Sequence, residues 1–147
     1  ETHRFGRARD AVSTITRLIR EGEVVVQEFV PEIVADGEWS LVFIDRQLSH
    51  AVKKSPGSGD FRVQMELGGS AEAATAPAAL VDEARAILGK VDGDLLYARV
   101  DLVTRAQGVM LMELELIEPH LFLVSAAGSS RRFAEAIVRR VEVTSGT

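Results

Sequence analysis

The sequence has no cysteine, few aromatic residues and no hydrophobic run as long as the roughly 18 residues that cross a membrane. Without cysteine, the chain has no disulfides, no zinc site built from thiolates and no cysteine nucleophile. It also has no segment that resembles a secretory signal. Together these absences predict a soluble cytoplasmic protein.

The composition that is present is typical of one folded domain. Of 147 residues, 46% are hydrophobic and 27% are charged, which excludes a disordered tail. The formal net charge of −5 argues against general binding to a nucleic-acid backbone. The chain opens on Glu1 rather than methionine, so we expect it to be part of a longer protein.

Common nucleotide and nucleophile motifs are also missing. The sequence contains no G-x-x-x-x-G-K-[ST], no G-x-G-x-x-G and no G-x-S-x-G. No serine–histidine–aspartate arrangement follows from spacing. Of the histidines, His50 is interpreted as structural, and His120 is left open because it follows the acidic strand described below.

Hydrophobic periodicity predicts helices and strands in alternating groups. The predicted helices cover residues 10–22, 80–88 and 132–141, the second with Thr75 as its N-cap and Pro77 in its first turn. The predicted strands cover 24–30, 38–44, 48–53, 61–67, 95–103 and 109–117. A hairpin turn is predicted at 45–47 and loops at 54–60 and 68–79. This order indicates an α+β fold with a mainly antiparallel sheet.

The last predicted hairpin places three carboxylates on one face of the sheet, namely Asp101, Glu113 and Glu115. With the turn centred on Ala106, Asp101 is expected opposite Leu111. Glu113 is then expected opposite Arg99 and diagonal to Asp101, with Cβ atoms roughly 7–8 Å apart. The three carboxylates therefore project from one patch.

Such a patch costs free energy unless a cation offsets it. Arg99 can neutralise one carboxylate, and an all-oxygen set invites a hard divalent ion such as Mg²⁺. The alternative is a solvated strand face that happens to be acidic. The apolar residues around Glu113 disfavour it, because isolated charges rarely lie in such runs without a partner.

A second signal is the pair Lys53-Lys54, followed by a glycine-containing loop and then Asp60-Phe61-Arg62. Lysines beside such a loop and an arginine on the next strand suit a polyphosphate. The alternative is a solvated surface loop.

In these motifs the sequence resembles the ATP-grasp family, in particular the C-terminal part of ligases related to glutathione synthetase, the ribosomal-protein glutamate ligase and the D-cycloserine biosynthetic ligase. The matching runs, in the family's order, are VQEFV at 26–30, GEWSL at 37–41, GDFRVQ at 59–64 with GG at 68–69, YARVD at 97–101, and MELELIEP at 112–119. Each run is weak alone, but five in order are fairly specific.

The resemblance implies a role for each matching residue. The residues implied to bind the nucleotide are Gln27, Glu28, Phe29 and Val30 on adenine and Glu38 on the ribose hydroxyls. The residues implied to act near the phosphates and the acyl phosphate are Lys54, Arg62 and Arg99. The implied metal ligands are Asp101, Glu113 and Glu115. Many family members carry asparagine where this chain has Glu115.

The resemblance also implies an ATP-dependent carboxylate–amine ligase with an acyl-phosphate intermediate and Mg²⁺, or Mn²⁺ as an alternative. Residues 1–30 would be the tail of the first ATP-grasp subdomain and 31–147 the C-terminal subdomain. The substrates would be a small carboxylate and a small amine, with no nucleic-acid or membrane partner. We expect the isolated fragment to be inactive and to form homo-oligomers. The competing hypotheses are a nucleotide-binding module without ligase activity and a dimerising structural fragment.

Overall fold

The computed structural model describes residues 2–57, 63 and 68–145, and for residues 143–145 only the backbone. The chain divides into two compact units, Glu1–Pro31 and Glu32–Thr147. That residues 1–30 and 31–147 belong to the first and the C-terminal ATP-grasp subdomains stays a prediction.

In its described residues, the first unit contains one helix, α1 (Ala8–Leu18), followed by a segment without regular secondary structure. The prediction of a strand over residues 24–30 is wrong, because no strand is assigned there. Val25 and Val26 in this segment are 92% and 72% exposed. Strand formation needs a pairing neighbour as well as β-branched residues, and the described strands lie elsewhere in the chain.

Over its described residues, the second unit is an antiparallel sheet with three helices. Its elements are α2 (Glu32–Asp36), β1 (Glu38–Ile44), β2 (Gln47–Ser55), β3 (Ser70–Ala73), α3 (Ala78–Leu88), β4 (Tyr97–Arg105), β5 (Gly108–Glu115) and α4 (Ser129–Ser145). The five strands lie in the order β3-β2-β1-β4-β5, and every neighbouring pair is antiparallel. The predicted α+β class with an antiparallel sheet is confirmed.

One face of this sheet forms the main hydrophobic core. Leu41 and Phe43 from β1 and Val100 and Leu102 from β4 are completely buried there. They pack against an apolar stripe on α3, formed by Leu80, Val81, Ala84 and Leu88. Alternation along each strand sends the intervening residues to the opposite face.

The opposite face meets α4 at the end of the sheet where β1 turns into β2. The Phe133 ring contacts the Tyr97 ring edge-on at 6.1 Å. Arg139 and Arg140 pair with Asp45 in the β1–β2 turn, at 2.7 and 2.8 Å. Among the residues that the structure describes, no helix is both long enough and apolar enough to cross a membrane.

The register of β4 and β5 differs from the predicted one. Asp101 lies directly opposite Glu113, and Arg99 lies opposite Glu115. The predictions that pair Asp101 with Leu111 and Arg99 with Glu113 are therefore wrong. One cause is the turn, which comprises residues 106–107 rather than centring on Ala106.

The other cause is a β-bulge in β5. Leu102 pairs with Leu111 and Asp101 with Glu113, so Met112 is an extra residue in β5. Because of this extra residue, the alternation of faces along β5 changes by one position at Met112. Leu111 therefore pairs with Leu102, whose side chain lies in the core. Glu113 is thereby aligned with Asp101 on the other face, rather than sharing a face with Leu111 as predicted.

Three further features differ from the predictions. Residues 70–73 form edge strand β3 where a loop was predicted, and α2 was not predicted. Thr75 is not the N-cap of α3, because the cap is Pro77 and makes no side-chain hydrogen bond. The predicted strand at 61–67 lies outside the described residues except for residue 63.

The turn between β1 and β2 has one residue that seldom occupies such a position. Asp45 and Arg46 have φ angles of 47° and 59°, a left-handed conformation that aspartate tolerates but that favours glycine at the position of Arg46. Arg46 offsets this strain by donating hydrogen bonds to the carbonyl oxygens of Leu88, Val91 and Gly93 at 2.7–2.8 Å. The turn is thus held by the end of α3.

Candidate functional site

Charged side chains from four strands share the sheet face opposite α3. They are Glu38 on β1, Lys54 on β2, Arg99 and Asp101 on β4, and Glu113 and Glu115 on β5. Strand alternation and the β5 bulge bring all six to one surface. Four carboxylates face two cations, and we call these six residues the charged cluster.

Lys54 lies between two carboxylates. Its Nζ donates to Asp101 Oδ2 at 2.7 Å and also pairs with Glu38 Oε1. The Lys54 side chain is 11% exposed, Glu38 7% and Asp101 0%, so water screens these pairs little. Gly37 allows the backbone of β2 at Lys54 to lie close to the residue before Glu38. Its φ is 78°, and a Cβ there would collide with the Lys54 carbonyl oxygen.

Arg99 binds the three predicted metal ligands at once. Its Nη2 lies 3.0 Å from Asp101 Oδ2, 3.1 Å from Glu113 Oε2 and 2.6 Å from Glu115 Oε1. Its Nε donates to Asp101 Oδ1 at 2.9 Å. The predicted metal ligands are thus brought together around one cationic nitrogen.

The cluster shifts the pKa values of its members in opposite directions. Burial raises the pKa of Glu38 from 4.5 to about 7, although Lys54 opposes the shift. Burial also raises the pKa of Glu113, together with its hydrogen bond to Glu115 and the charge of Asp101. Burial alone would raise the pKa of Asp101, but the charges of Lys54 and Arg99 hold it below its ordinary value. Asp101 is therefore the firmly ionised member.

The donor set suits a hard cation, although the arrangement is not one of metal coordination. Across the part of the chain that the structure describes, no three acidic or histidine side chains are arranged to hold a metal ion. The Arg99 nitrogen lies where the carboxylates of Asp101, Glu113 and Glu115 converge. Their oxygens are the donors that Mg²⁺ prefers. That Asp101, Glu113 and Glu115 bind a metal ion stays a prediction, because Arg99 holds all three carboxylates here.

The remaining predicted site residues belong to the first unit or fall outside the described residues. Gln27 and Glu28 are exposed in the first unit, and Val30 is buried there. The Arg4 guanidinium carbon lies 3.5 Å from the centre of the Phe29 ring. Arg62 falls outside the described residues. Their roles stay predictions.

Two polar residues near the cluster were missed or undervalued from sequence. Ser40 is completely buried opposite Asp101, and its Oγ has no hydrogen-bond partner within the described ranges. Strand alternation from Glu38 would have placed it on this face. His50 is buried on β2, and its ring contacts residue 121, which no local pattern indicates.

The antiparallel sheet packs against α3 on one face and carries the charged cluster on the other, the face that α4 meets at one end. The model of the RimK-like ATP-grasp domain matches residues 5–121. The chain belongs to this family.

Its relatives are ligases and synthetases of about twice its length. It is 35% identical to the cycloserine biosynthesis protein DcsG of Streptomyces lavendulae, over 92% of this chain and 48% of that protein. The crystal structure of D-cycloserine synthetase DcsG superposes with a TM-score of 0.73 at 32% identity, over 90% of this chain and 48% of that one. A D-alanine–D-alanine ligase from Bacillus anthracis, solved with ATP, shares the fold, with a TM-score of 0.58 at 14% identity over 90% of this chain and 46% of that one.

Proposed function

We propose that the full-length protein is an ATP-dependent carboxylate–amine ligase that works through an acyl phosphate. The observation that carries this proposal is the charged cluster, in which the three predicted metal ligands and two cations meet on one sheet face. Its membership of the ATP-grasp family supports the use of ATP.

In this proposal the cations act on the phosphates. Lys54 and Arg99 would stabilise the negative charge that develops as the γ-phosphoryl group passes to the substrate carboxylate, and Arg62 would join them. Asp101, Glu113 and Glu115 would hold Mg²⁺, which neutralises the charge of the transferring oxygens. Catalysis then depends on positioning and electrostatics, since no covalent nucleophile on the protein is needed.

The nucleotide base and sugar would be bound by other residues of the chain. We assign adenine to the segment Gln27, Glu28, Phe29 and Val30, and the ribose hydroxyls to Glu38. Because Glu38 is paired with Lys54, a ribose hydroxyl would have to compete with that lysine for the carboxylate. Binding of the nucleotide would thereby release Lys54 from Glu38 and leave its pair with Asp101.

The whole protein's substrates depend on residues outside this chain, which spans about half the length of the relatives it matches. We propose a small carboxylate and a small amine, a cytoplasmic location, and no nucleic-acid or membrane partner. We also propose that residues 1–147 alone self-associate and bind ATP 10²–10⁴-fold more weakly than the full-length protein, because roughly two charge-assisted phosphate contacts would be missing.

The test is phosphate release by the full-length protein with MgATP and a panel of small carboxylates, with hydroxylamine as the amine that traps an acyl phosphate. We expect release that depends on the carboxylate, together with a hydroxamate product. Glu113→Gln should lower turnover roughly 10²–10³-fold, as the loss of a charge-stabilising group does elsewhere. Circular dichroism should show that this variant keeps its fold, since the Glu113 side chain is 54% exposed.

The matched control is Glu83→Gln, the same change on the exposed surface of α3, which should leave turnover unchanged. An active Glu113→Gln enzyme would remove the metal assignment. MgATP binding without carboxylate-dependent release for any substrate would favour a nucleotide-binding module instead.

A further inference from the structure

A short segment after β5 lies against the charged cluster. Residues 118–123, here called the covering segment, accept a hydrogen bond from Arg99 Nη1 at the carbonyl oxygen of His120, at 3.3 Å. The centre of the Phe122 ring lies 5.9 Å from the Arg99 guanidinium carbon. The same ring packs on Val42 and Val52, which are completely buried. One face of Arg99 is therefore bounded by this segment.

The backbone of the covering segment is strained. Glu118 and Phe122 have φ angles of 58° and 48°, which residues with a Cβ seldom adopt. Such conformations cost free energy and persist only where surrounding contacts hold them. The contacts that hold the segment therefore also set the place of Arg99.

One of those contacts comes from His50. Its Nε2 lies 2.9 Å from the carbonyl oxygen of Leu121, between the two residues that touch Arg99. His50 and Arg99 lie in the same row of the sheet, because each is paired with Val42 from opposite sides. The imidazole thus reaches the covering segment from one side and the guanidinium from the other.

The tautomer of His50 follows from its neighbours. A carbonyl oxygen only accepts, so Nε2 carries the proton and donates to Leu121. Nδ1 lies 3.0 Å from Ser49 Oγ, and that oxygen accepts from Arg132 Nε at 3.2 Å, which leaves the Ser49 hydroxyl proton for Nδ1. Burial lowers the pKa of His50 and favours this neutral form.

We propose that His50 is a positioning residue for Arg99, acting through its hydrogen bond to the Leu121 carbonyl in the covering segment. With that bond in place, the His120 carbonyl and the Phe122 ring fix the guanidinium where it meets the cluster. The effect on nucleotide binding rests on the proposed function, in which Arg99 faces the phosphates. The positioning of Arg99 by His50 does not depend on the proposed function.

The test compares two amides in the full-length protein. In His50→Gln the amide nitrogen occupies the place of Nε2 and keeps the donor to Leu121, whereas in His50→Asn the side chain is one methylene shorter and cannot reach it. The first readout is solvent exchange of the Arg99 Nε–H proton by NMR, without nucleotide. Exchange should be roughly 3–10-fold faster in His50→Asn, the factor that one net hydrogen bond supports, and near wild type in His50→Gln.

Arg46→Met is the control for general destabilisation. It removes the three hydrogen bonds between the β1–β2 turn and residues 88–93, and Arg46 does not contact the covering segment. It should leave Arg99 exchange unchanged. If His50→Asn fails to fold, Ser49→Ala replaces it, because it removes the hydroxyl that holds His50 Nδ1 without touching Arg99, and it should accelerate exchange. Unchanged exchange in the folded His50→Asn variant, or in Ser49→Ala where that replaces it, would overturn the proposal.

The second readout is the dissociation constant for MgATP by calorimetry. It should rise roughly 3–10-fold in His50→Asn and return toward wild type in His50→Gln. If the wild-type protein binds no MgATP, the proposed function fails while the exchange measurement still decides the positioning role. If wild type binds and His50→Asn binds equally well, the link between His50 and the nucleotide is wrong.

Discussion

The two faces of the five-stranded sheet are built by the same strands and stabilised in different ways. The face toward α3 is a continuous apolar surface in which Leu41, Phe43 and Leu102 are completely buried. The other face buries charges, with Asp101 completely enclosed and Lys54 and Arg99 nearly so. Alternation along the strands therefore gives one face to packing and the other to electrostatics.

The two faces contribute differently to the stability of the fold. Burial of apolar area is favourable without any particular partner, so the α3 face tolerates hydrophobic exchange. A buried ion pair must first overcome the desolvation of both charges, and well-packed hydrophobic residues of equal volume often stabilise a protein at least as well. The charged cluster is thus a weak source of stability, which is consistent with the chemical role proposed for it.

The largest loss of stability is expected on the apolar face. Phe43→Ala should lower the free energy of unfolding by about 4 kcal/mol, because it removes a completely buried ring and leaves a cavity. Urea denaturation of the full-length protein measures the change. Val138→Ala on exposed α4 is the control and should stay within about 0.5 kcal/mol. A Phe43→Ala loss below that control would contradict the view that this face carries the stability.

A somewhat smaller loss is expected when a cation is removed from the other face. Lys54→Met should cost about 3 kcal/mol, because it leaves the carboxylates of Glu38 and Asp101 buried without their shared partner. The double variant Glu38→Gln/Lys54→Met should recover part of that loss. Denaturation of the single and double variants gives the coupling free energy. If the losses simply added, Lys54 would act by packing rather than by charge.

The smallest effect is a pH dependence that separates the two faces. Below pH 4.5 Glu38 is protonated in both the folded and the unfolded chain, and between pH 4.5 and about 7 only the unfolded chain releases the proton. Stability should therefore fall across this window by at most roughly 3 kcal/mol. Glu38→Gln should lack this part of the dependence, whereas Phe43→Ala should keep it. Parallel pH profiles for wild type and Glu38→Gln would contradict the raised pKa.

The sequence predicted those elements whose signal is local. The bounds of β1 at 38–44 were predicted without error, and the stripe from Leu80 to Leu88 identified α3, since periodicity and burial coincide there. The segment 24–30 failed because its valines indicate a strand, whereas strand formation depends on a neighbour outside the local sequence. Helix α2 and strand β3 are too short for a periodic pattern to indicate them.

In the candidate site, the sequence indicated the residues but not their contacts. The prediction that Glu113 and Glu115 share the face of Asp101 is right because two errors cancel: the turn lies at 106–107, and the bulge at Met112, which leaves no mark in the hydrophobic pattern, shifts the register by one more residue. The meeting of Lys54 with Asp101 joins residues 47 positions apart, and the contact of His50 with Leu121 joins residues 71 apart. Such contacts follow from sheet order and chain path, which no local pattern encodes.

The β1–β2 turn bears on the order in which the chain assembles during synthesis. A hairpin with Asn-Gly at its turn closes by itself within about 1–10 μs. Here the turn is held by Arg46, whose hydrogen-bond partners lie 42–47 residues further along the chain. The hairpin therefore leaves the ribosome without its support, and at about 5–20 residues per second it waits seconds for the end of α3 to emerge. During that interval the first two strands of the sheet lack the three hydrogen bonds that hold their turn.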